Sequence, residues 1–297
     1  MPSALLSREE YVEQAYLFRV FRERLEDNSA AQVILLALKE EILATTKLPM
    51  AIDFLIGELH HKGQLHEGMQ RIGHYFTPFQ AFVIEKAEEA TTRLDLRVAL
   101  QILEREAEFR AGEDPKYRRD GESPPAVPCA ALFMFQFECL SRNRMGYEQG
   151  VAAIAEDPLY SPEWREWITR IRFQLGTSEF SDLVYLRSAH RVEEFRKRNK
   201  RPDYEAPYPV LFGVAEGRIA KANIGKDPLY LFAALQRQLG YPAVPRPKPA
   251  KSGPLFDPVT ESRFQRLESR IQLLESENRG GIDLTKHYKT PDVEDVT

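Results

Sequence analysis

Apolar residues recur three and four positions apart through most of the first hundred residues, in runs broken by Asn-Ser, Gly and Pro. That spacing puts them on one side of a helix. Ser7 and Glu10 have the spacing of a capping box, in which each side chain satisfies a free amide of the first turn. After them Tyr11, Ala15, Phe18, Phe21 and Leu25 form one apolar face. Asn28-Ser29 supplies a break and a new N-cap, and AAQVILLALKEEILATT reads as a second helix. Pro49 suits the first position of a third helix, where its missing N–H has no intrahelical role, and Gly63 closes that helix. A short fourth helix fits 65–73, Thr77-Pro78 opens a fifth, and 93–110 makes a sixth. The pattern predicts an all-α six-helix bundle over 7–111.

Residues 112–128, GEDPKYRRDGESPPAVP, are polar and rich in Gly and Pro, and predict a linker. The next region, 129–240, is rich in aromatics. FMFQF sets Phe133, Phe135 and Phe137 at the period of a strand, whereas Leu132, Gln136, Cys139 and Leu140 around them suit a buried helix. Helix is the better reading, because no second strand-like run lies nearby to pair with it. SPEWREWITRIRFQL follows, with Ser161 as N-cap, Pro162 in first position, and Trp164, Trp167, Ile168 and Ile171 on one face. Helices over 180–199 and in DPLYLFAALQRQL complete a mainly helical region. DPLY occurs twice, at 157–160 and 227–230, and Asp before Pro marks a turn or a helix start. The flanks of the two copies differ, so they do not define a repeat.

Five prolines in GYPAVPRPKPAKSGP predict an extended linker over 241–258. A helix over 259–278 follows, and then a polar tail, 279–297, with the composition of a disordered segment. Phe264, Leu267, Ile271 and Leu274 fit heptad positions a, d, a and d, and Asn278 falls at the next a position, where a buried Asn fixes register in parallel dimers. Arg263 and Arg270 fall at g, with Glu268 and Glu275 at e five residues on, so in a parallel pair each Arg faces a Glu of the other chain. The expectation is a homodimer through this coiled coil. Leu273 at position c widens the apolar stripe and keeps open the alternative that the helix docks on its own chain.

Composition changes this picture little. At 297 residues, with 43% hydrophobic and 29% charged, the chain has the make-up of a soluble globular protein with no transmembrane segment, because its longest apolar runs fall far short of the roughly 20 residues a spanning helix needs. Two cysteines, Cys129 and Cys139, give no disulfide framework, and the N-terminus lacks the basic start of a signal peptide, which together predict a cytoplasmic protein. The net charge of −4 provides no overall attraction to nucleic acid or membrane.

Two stretches invite a chemical reading. LHHKGQLHEGMQRIGHYF holds four of the six histidines, His60, His61, His66 and His74. As zinc ligands they would have to converge, yet His60 and His61 point about 100° apart on a helix, His66 lies beyond Gly63, and no HExxH pair is present. A set of solvated or hydrogen-bonded histidines around a helix corner is the better reading, with a metal-dependent enzyme as the alternative. RSAHRVEEFRKRNKR, 187–201, carries Arg187, Arg191, Arg196, Lys197, Arg198, Lys200 and Arg201 against two Glu. Such a patch is a candidate for binding phosphates or anionic headgroups, although cations at a helix C-terminus also favour a plain solvated helix end. No phosphate loop, nucleophile elbow or Cys-His pairing is present, so neither catalysis nor a cofactor is expected.

Gly63, Leu65 and Glu67 match a G-x-L-x-E-A pattern with Gly68 in place of Ala, Phe76 and Pro78 match F-x-P, and Glu89 and Leu94 match parts of a G-E-x-x-G-x-L corner that has Glu88 and Thr92 where glycines are usual. In these motifs, residues 11–110 resemble the cytoplasmic helical domain of the type II secretion F family, the platform proteins of secretion systems and type IV pili. The resemblance implies a six-helix interaction bundle with no catalytic role, here without the membrane helices that hold platform proteins. The combined expectation is a non-enzymatic cytoplasmic interaction or scaffold protein that dimerises through its last helix, with a module that binds nucleic acid or an anionic surface through 187–201 as the less favoured alternative, since that run carries no nucleic-acid motif and only one Phe.

Overall fold

The computed structural model describes residues 5–27, 29–89, 94–112, 128–246 and 271. Among them the backbone forms α-helices and no strand, so the chain is all-α. In order these are α1 (Arg8–Glu26), α2 (Ala31–Glu41), α3 (Leu48–Lys62), α4 (His66–Arg71), α5 (Pro78–Glu88), α6 (Leu96–Ala111), α7 (Cys129–Asn143), α8 (Tyr147–Ala155), α9 (Pro162–Gln174), α10 (Phe180–Leu186), α11 (Ala189–Asn199), α12 (Val214–Ala222) and α13 (Pro228–Leu239). All lie in one unit, Met1–Pro247, while Lys248–Thr297 is described only at Ile271. Most of the linker expected at 112–128, the proline-rich stretch from 247, the coiled-coil helix apart from Ile271, and the tail lie outside the described residues. No helix among the described residues is long and apolar enough to cross a membrane.

The helix ends follow the side chains at them. Ser7 accepts the Glu10 amide, Ser161 accepts that of Trp164, and Thr77 with Gln80 forms a complete capping box ahead of Pro78. Gly63 ends α3 at φ 72, a left-handed conformation that glycine adopts without strain. The two DPLY segments share one local structure: Asp157 Oδ1 accepts the Leu159 amide and Asp227 Oδ1 accepts the Leu229 amide. Their fates then diverge. Pro162 halts the chain after the first, leaving a turn with Tyr160 buried, whereas the second runs on into α13 with Tyr230 exposed.

Four elements depart from the sequence pattern. The second helix stops at Glu41 instead of continuing to Thr46, because Ile42 turns extended and buries its side chain. The helix expected over 180–199 is broken at Arg187-Ser188. There the Arg187 carbonyl accepts the amides of Leu211 and Phe212, and the Phe212 carbonyl accepts that of Ala189. Two helices, α8 and α12, are not among those expected above, and each follows a glycine N-cap.

One apolar core runs from Leu17 to Val244, so the N-terminal helices and the aromatic-rich region share an interior. Helix α8 enters it through Gly150, where a Cβ would lie 2.5 Å from a Leu140 methyl carbon and 3.1 Å from the Phe82 ring. A buried ion cluster crosses the same boundary. The Arg110 guanidinium on α6 is bound by Glu106 at 2.9 Å and by Asp157 in the turn after α8, with all three side chains nearly inaccessible. Gln136 on α7 donates to Glu106 at 2.7 Å and accepts from the Tyr160 hydroxyl at 2.7 Å. Burial opposes the Arg110 charge, but Asp157 and Glu106 overcome it and hold the group firmly protonated. Glu106 is pushed above the usual carboxylate range by burial, against the pull of Arg110.

Candidate functional site

Tyr147, Phe137 and Phe180 form a column of stacked rings brought together from α8, α7 and α10. The ring centroids of Tyr147 and Phe137 are 5.6 Å apart, and those of Phe137 and Phe180 are 4.1 Å apart at 15°. Phe232 of α13 tilts against the column at 6.2 Å from Phe137 and 5.9 Å from Phe180. These rings floor an open groove of about 540 Å³. That size falls in the range of sites holding a ligand or a side-chain anchor, roughly 300–1,000 Å³. Its lip is Phe173, 73% exposed although it is a large aromatic. The wall turns at Gly176, where φ is 96.

The rim is polar. Arg172 donates to Glu148 at 2.6 Å, and Glu179 accepts the Gly225 amide at 2.6 Å. The Arg172 Nε has no acceptor among the described residues. Two carboxylates and one guanidinium therefore border an apolar floor. The sequence contained a signal for the lip. On α9, Trp164, Trp167, Ile168 and Ile171 share the buried face, and Phe173 lies about 180° from Trp164 at 100° per residue. No short-range pattern marks the floor, whose rings come from positions 137 to 232.

The four histidines stay apart. His60 and His61 are exposed neighbours at the end of α3, their rings 5.6 Å apart, and His74 is exposed in the turn before α5. His66 is engaged by Glu88: its Nδ1 lies 2.6 Å from Oε2, and the same carboxylate accepts the Leu65 and His66 amides at the start of α4. Among the described residues no three His, Cys, Asp or Glu side chains gather where a metal ion could bind. Burial raises the thiols of both Cys129 and Cys139, which disfavours the thiolate needed for nucleophilic work.

The basic run divides in two. Arg187 lies 4.8 Å over the Tyr208 ring and Arg191 lies 5.8 Å over Tyr185. Arg196 donates through Nε to the Tyr204 carbonyl at 2.8 Å. Lys197, Arg198, Lys200 and Arg201 are exposed at the end of α11, with no carboxylate partner among the described residues. Of the coiled-coil positions only Ile271 is described, helical and exposed, and the others lie outside the described residues.

Between α10, α11 and α12, Glu194 binds Lys221 and accepts the Tyr185 hydroxyl at 2.5 Å, with His190 at 3.4 Å. The hydrogen bonds from Lys221 and then Tyr185 hold its carboxyl at about 2, below the ordinary 4.5. A depressed carboxylate stabilises the fold above its unfolded value, and that contribution is lost as pH falls through the folded value. The difference in urea midpoint between the wild type and Glu194→Gln is therefore expected to be constant above pH 4.5 and to close towards pH 2. A difference that does not change with pH would count against this arrangement.

No family model, curated protein or solved structure is similar to the chain.

Proposed function

We propose that the chain is a non-enzymatic interaction protein whose aromatic groove takes an apolar or aromatic anchor side chain of a partner polypeptide. The carrying observation is Phe173, 73% exposed beside a floor of three stacked rings. An aromatic at such a lip costs solubility and gives nothing to the core. Buried anchors in preformed pockets dominate the energetics of protein interfaces. The rim sets the partner's charge: Glu148 and Glu179 outnumber Arg172, so the anchor is flanked by Lys or Arg.

The test is selection of displayed random peptides on the full chain, followed by binding to Phe173→Glu. Enriched peptides are expected to share an aromatic or leucine beside a basic residue, and to lose at least tenfold in affinity on the variant. The substitution is on an exposed side chain, so stability should change by less than about 0.5 kcal/mol. Peptides that bind the variant equally well would sink the groove assignment.

Self-association through 259–278 belongs to the same proposal, as a means of presenting two grooves at once. Light scattering on the full chain and on a chain ending at Pro254 is expected to give a dimer and a monomer. Equal masses would remove the coiled coil from the account.

A further inference from the structure

The end of α11 carries a second site, of opposite charge to the groove's rim. The chain leaves the helix through Lys200, which sits in the left-handed region at φ 52 and sends its amide to the Arg196 carbonyl. The same carbonyl takes the Arg201 amide at 3.1 Å. Arg196 then reaches forward to the Tyr204 carbonyl, and the Tyr204 amide returns to the Arg201 carbonyl at 3.3 Å. Five residues are thereby folded into a fixed turn. Lys197, Arg198, Lys200 and Arg201 are exposed on it, each without a carboxylate partner among the described residues. Asp203 and Glu205 follow, exposed, and leave the segment 196–205 with five cations against two anions.

This turn is more than a solvated helix end because of what lies beside it. Phe195 and Tyr204 form a ring pair with centroids 4.1 Å apart at 34°, both only partly buried, so an aromatic pair lies within the same turn as the cations. The sequence hides this platform, because Tyr204 comes from beyond the helix. Exposed cations on a held backbone turn that also carries an aromatic pair suit a chain of phosphates with flat bases, since cations follow such a backbone and a ring takes a base. An acidic peptide would use the charge and leave the ring without a role. Duplex readout needs an element that enters a groove, and this surface is a short turn.

We propose that this turn binds single-stranded nucleic acid, with phosphates on Lys197, Arg198, Lys200 and Arg201 and a base stacked on Tyr204. The site is independent of the aromatic groove, and its charge is a local inversion of the chain's net −4.

The test is fluorescence anisotropy of the full chain with labelled oligo(dT) and oligo(U) across a salt series. Saturable binding is expected, with a log–log salt slope of about −3 for four phosphates neutralised on a single strand. Lys197→Gln/Arg198→Gln/Lys200→Gln/Arg201→Gln is expected to abolish binding while circular dichroism stays unchanged, because all four side chains are exposed. Tyr204→Ala keeps the carbonyl that Arg196 holds and should weaken binding roughly tenfold with the salt slope intact. Three results would overturn the proposal: no binding at low salt, binding unaffected by the quadruple or the Tyr204 variant, or competition by poly-glutamate or anionic vesicles as strong as by oligonucleotide.

Discussion

Replacing Arg110 with methionine is expected to destabilise the fold by about 3–5 kcal/mol, the usual cost of removing one partner from a buried ion cluster. Methionine fills a similar volume, so the loss is electrostatic: Glu106 and Asp157 would stay buried with no cation between them. Midpoints of thermal unfolding should fall by about 6–20 °C for a body of this length. The pH dependence gives a second reading. Glu106 already has a raised carboxyl, and a raised group contributes most stability below its unfolded value and loses it as pH rises through the folded value. Without Arg110 that penalty deepens, so the variant should fall furthest behind the wild type above pH 4.5, the ordinary value, and recover ground below it. Adding Asp157→Asn removes one uncompensated carboxylate, so the double variant should be more stable than the sum of the single losses implies. Additive losses would mean that the cluster is not coupled as its geometry requires.

Phe133→Ala is expected to cost a similar amount, about 3–5 kcal/mol, by a different route. Phe133 is fully buried in α7, and its ring lies 5.1 Å from Trp167, 5.8 Å from Trp164, 5.7 Å from Phe137 and 6.3 Å from Phe180. Losing it removes the burial of a large side chain and leaves a cavity that neighbouring rings fill only in part. Trp164 and Trp167 are the chain's two tryptophans, so their emission reports on this point directly. A red shift before global unfolding, together with a lowered urea midpoint, is the expected outcome. Phe173→Ala is the control, and should leave both unchanged.

The helices that the sequence revealed most clearly have their instructions close at hand. Ser161-Pro162 and Thr77-Pro78 start helices where their caps dictate, Gly63 ends one, and Phe133, Phe135 and Phe137 lie in a helix despite their alternation. The features that escaped depend on distant residues. The break at Ser188 exists because the 211–212 backbone crosses there, and Gly217 allows α12 to approach so closely that a Cβ would fall 2.1 Å from the Ser188 hydroxyl oxygen. The groove gathers rings from four helices, so only Phe173, out of phase with its own helix, was visible locally. The histidines illustrate the converse: closeness in sequence did not gather His60, His61, His66 and His74 around a common point.

The ion cluster around Arg110 also limits how this protein can be rearranged in evolution. Arg110 and Glu106 belong to the N-terminal helices, yet the second carboxylate bound to the guanidinium arrives 47 positions later, with Asp157. A gene fusion that borrowed residues 7–111 alone would inherit a charge cluster lacking one member and the bare patch of Phe82 against which Gly150 packs. In this chain the six-helix portion therefore leans on the aromatic half, and substitutions at Arg110, Glu106 or Phe82 are expected to be coupled to residues 150–157.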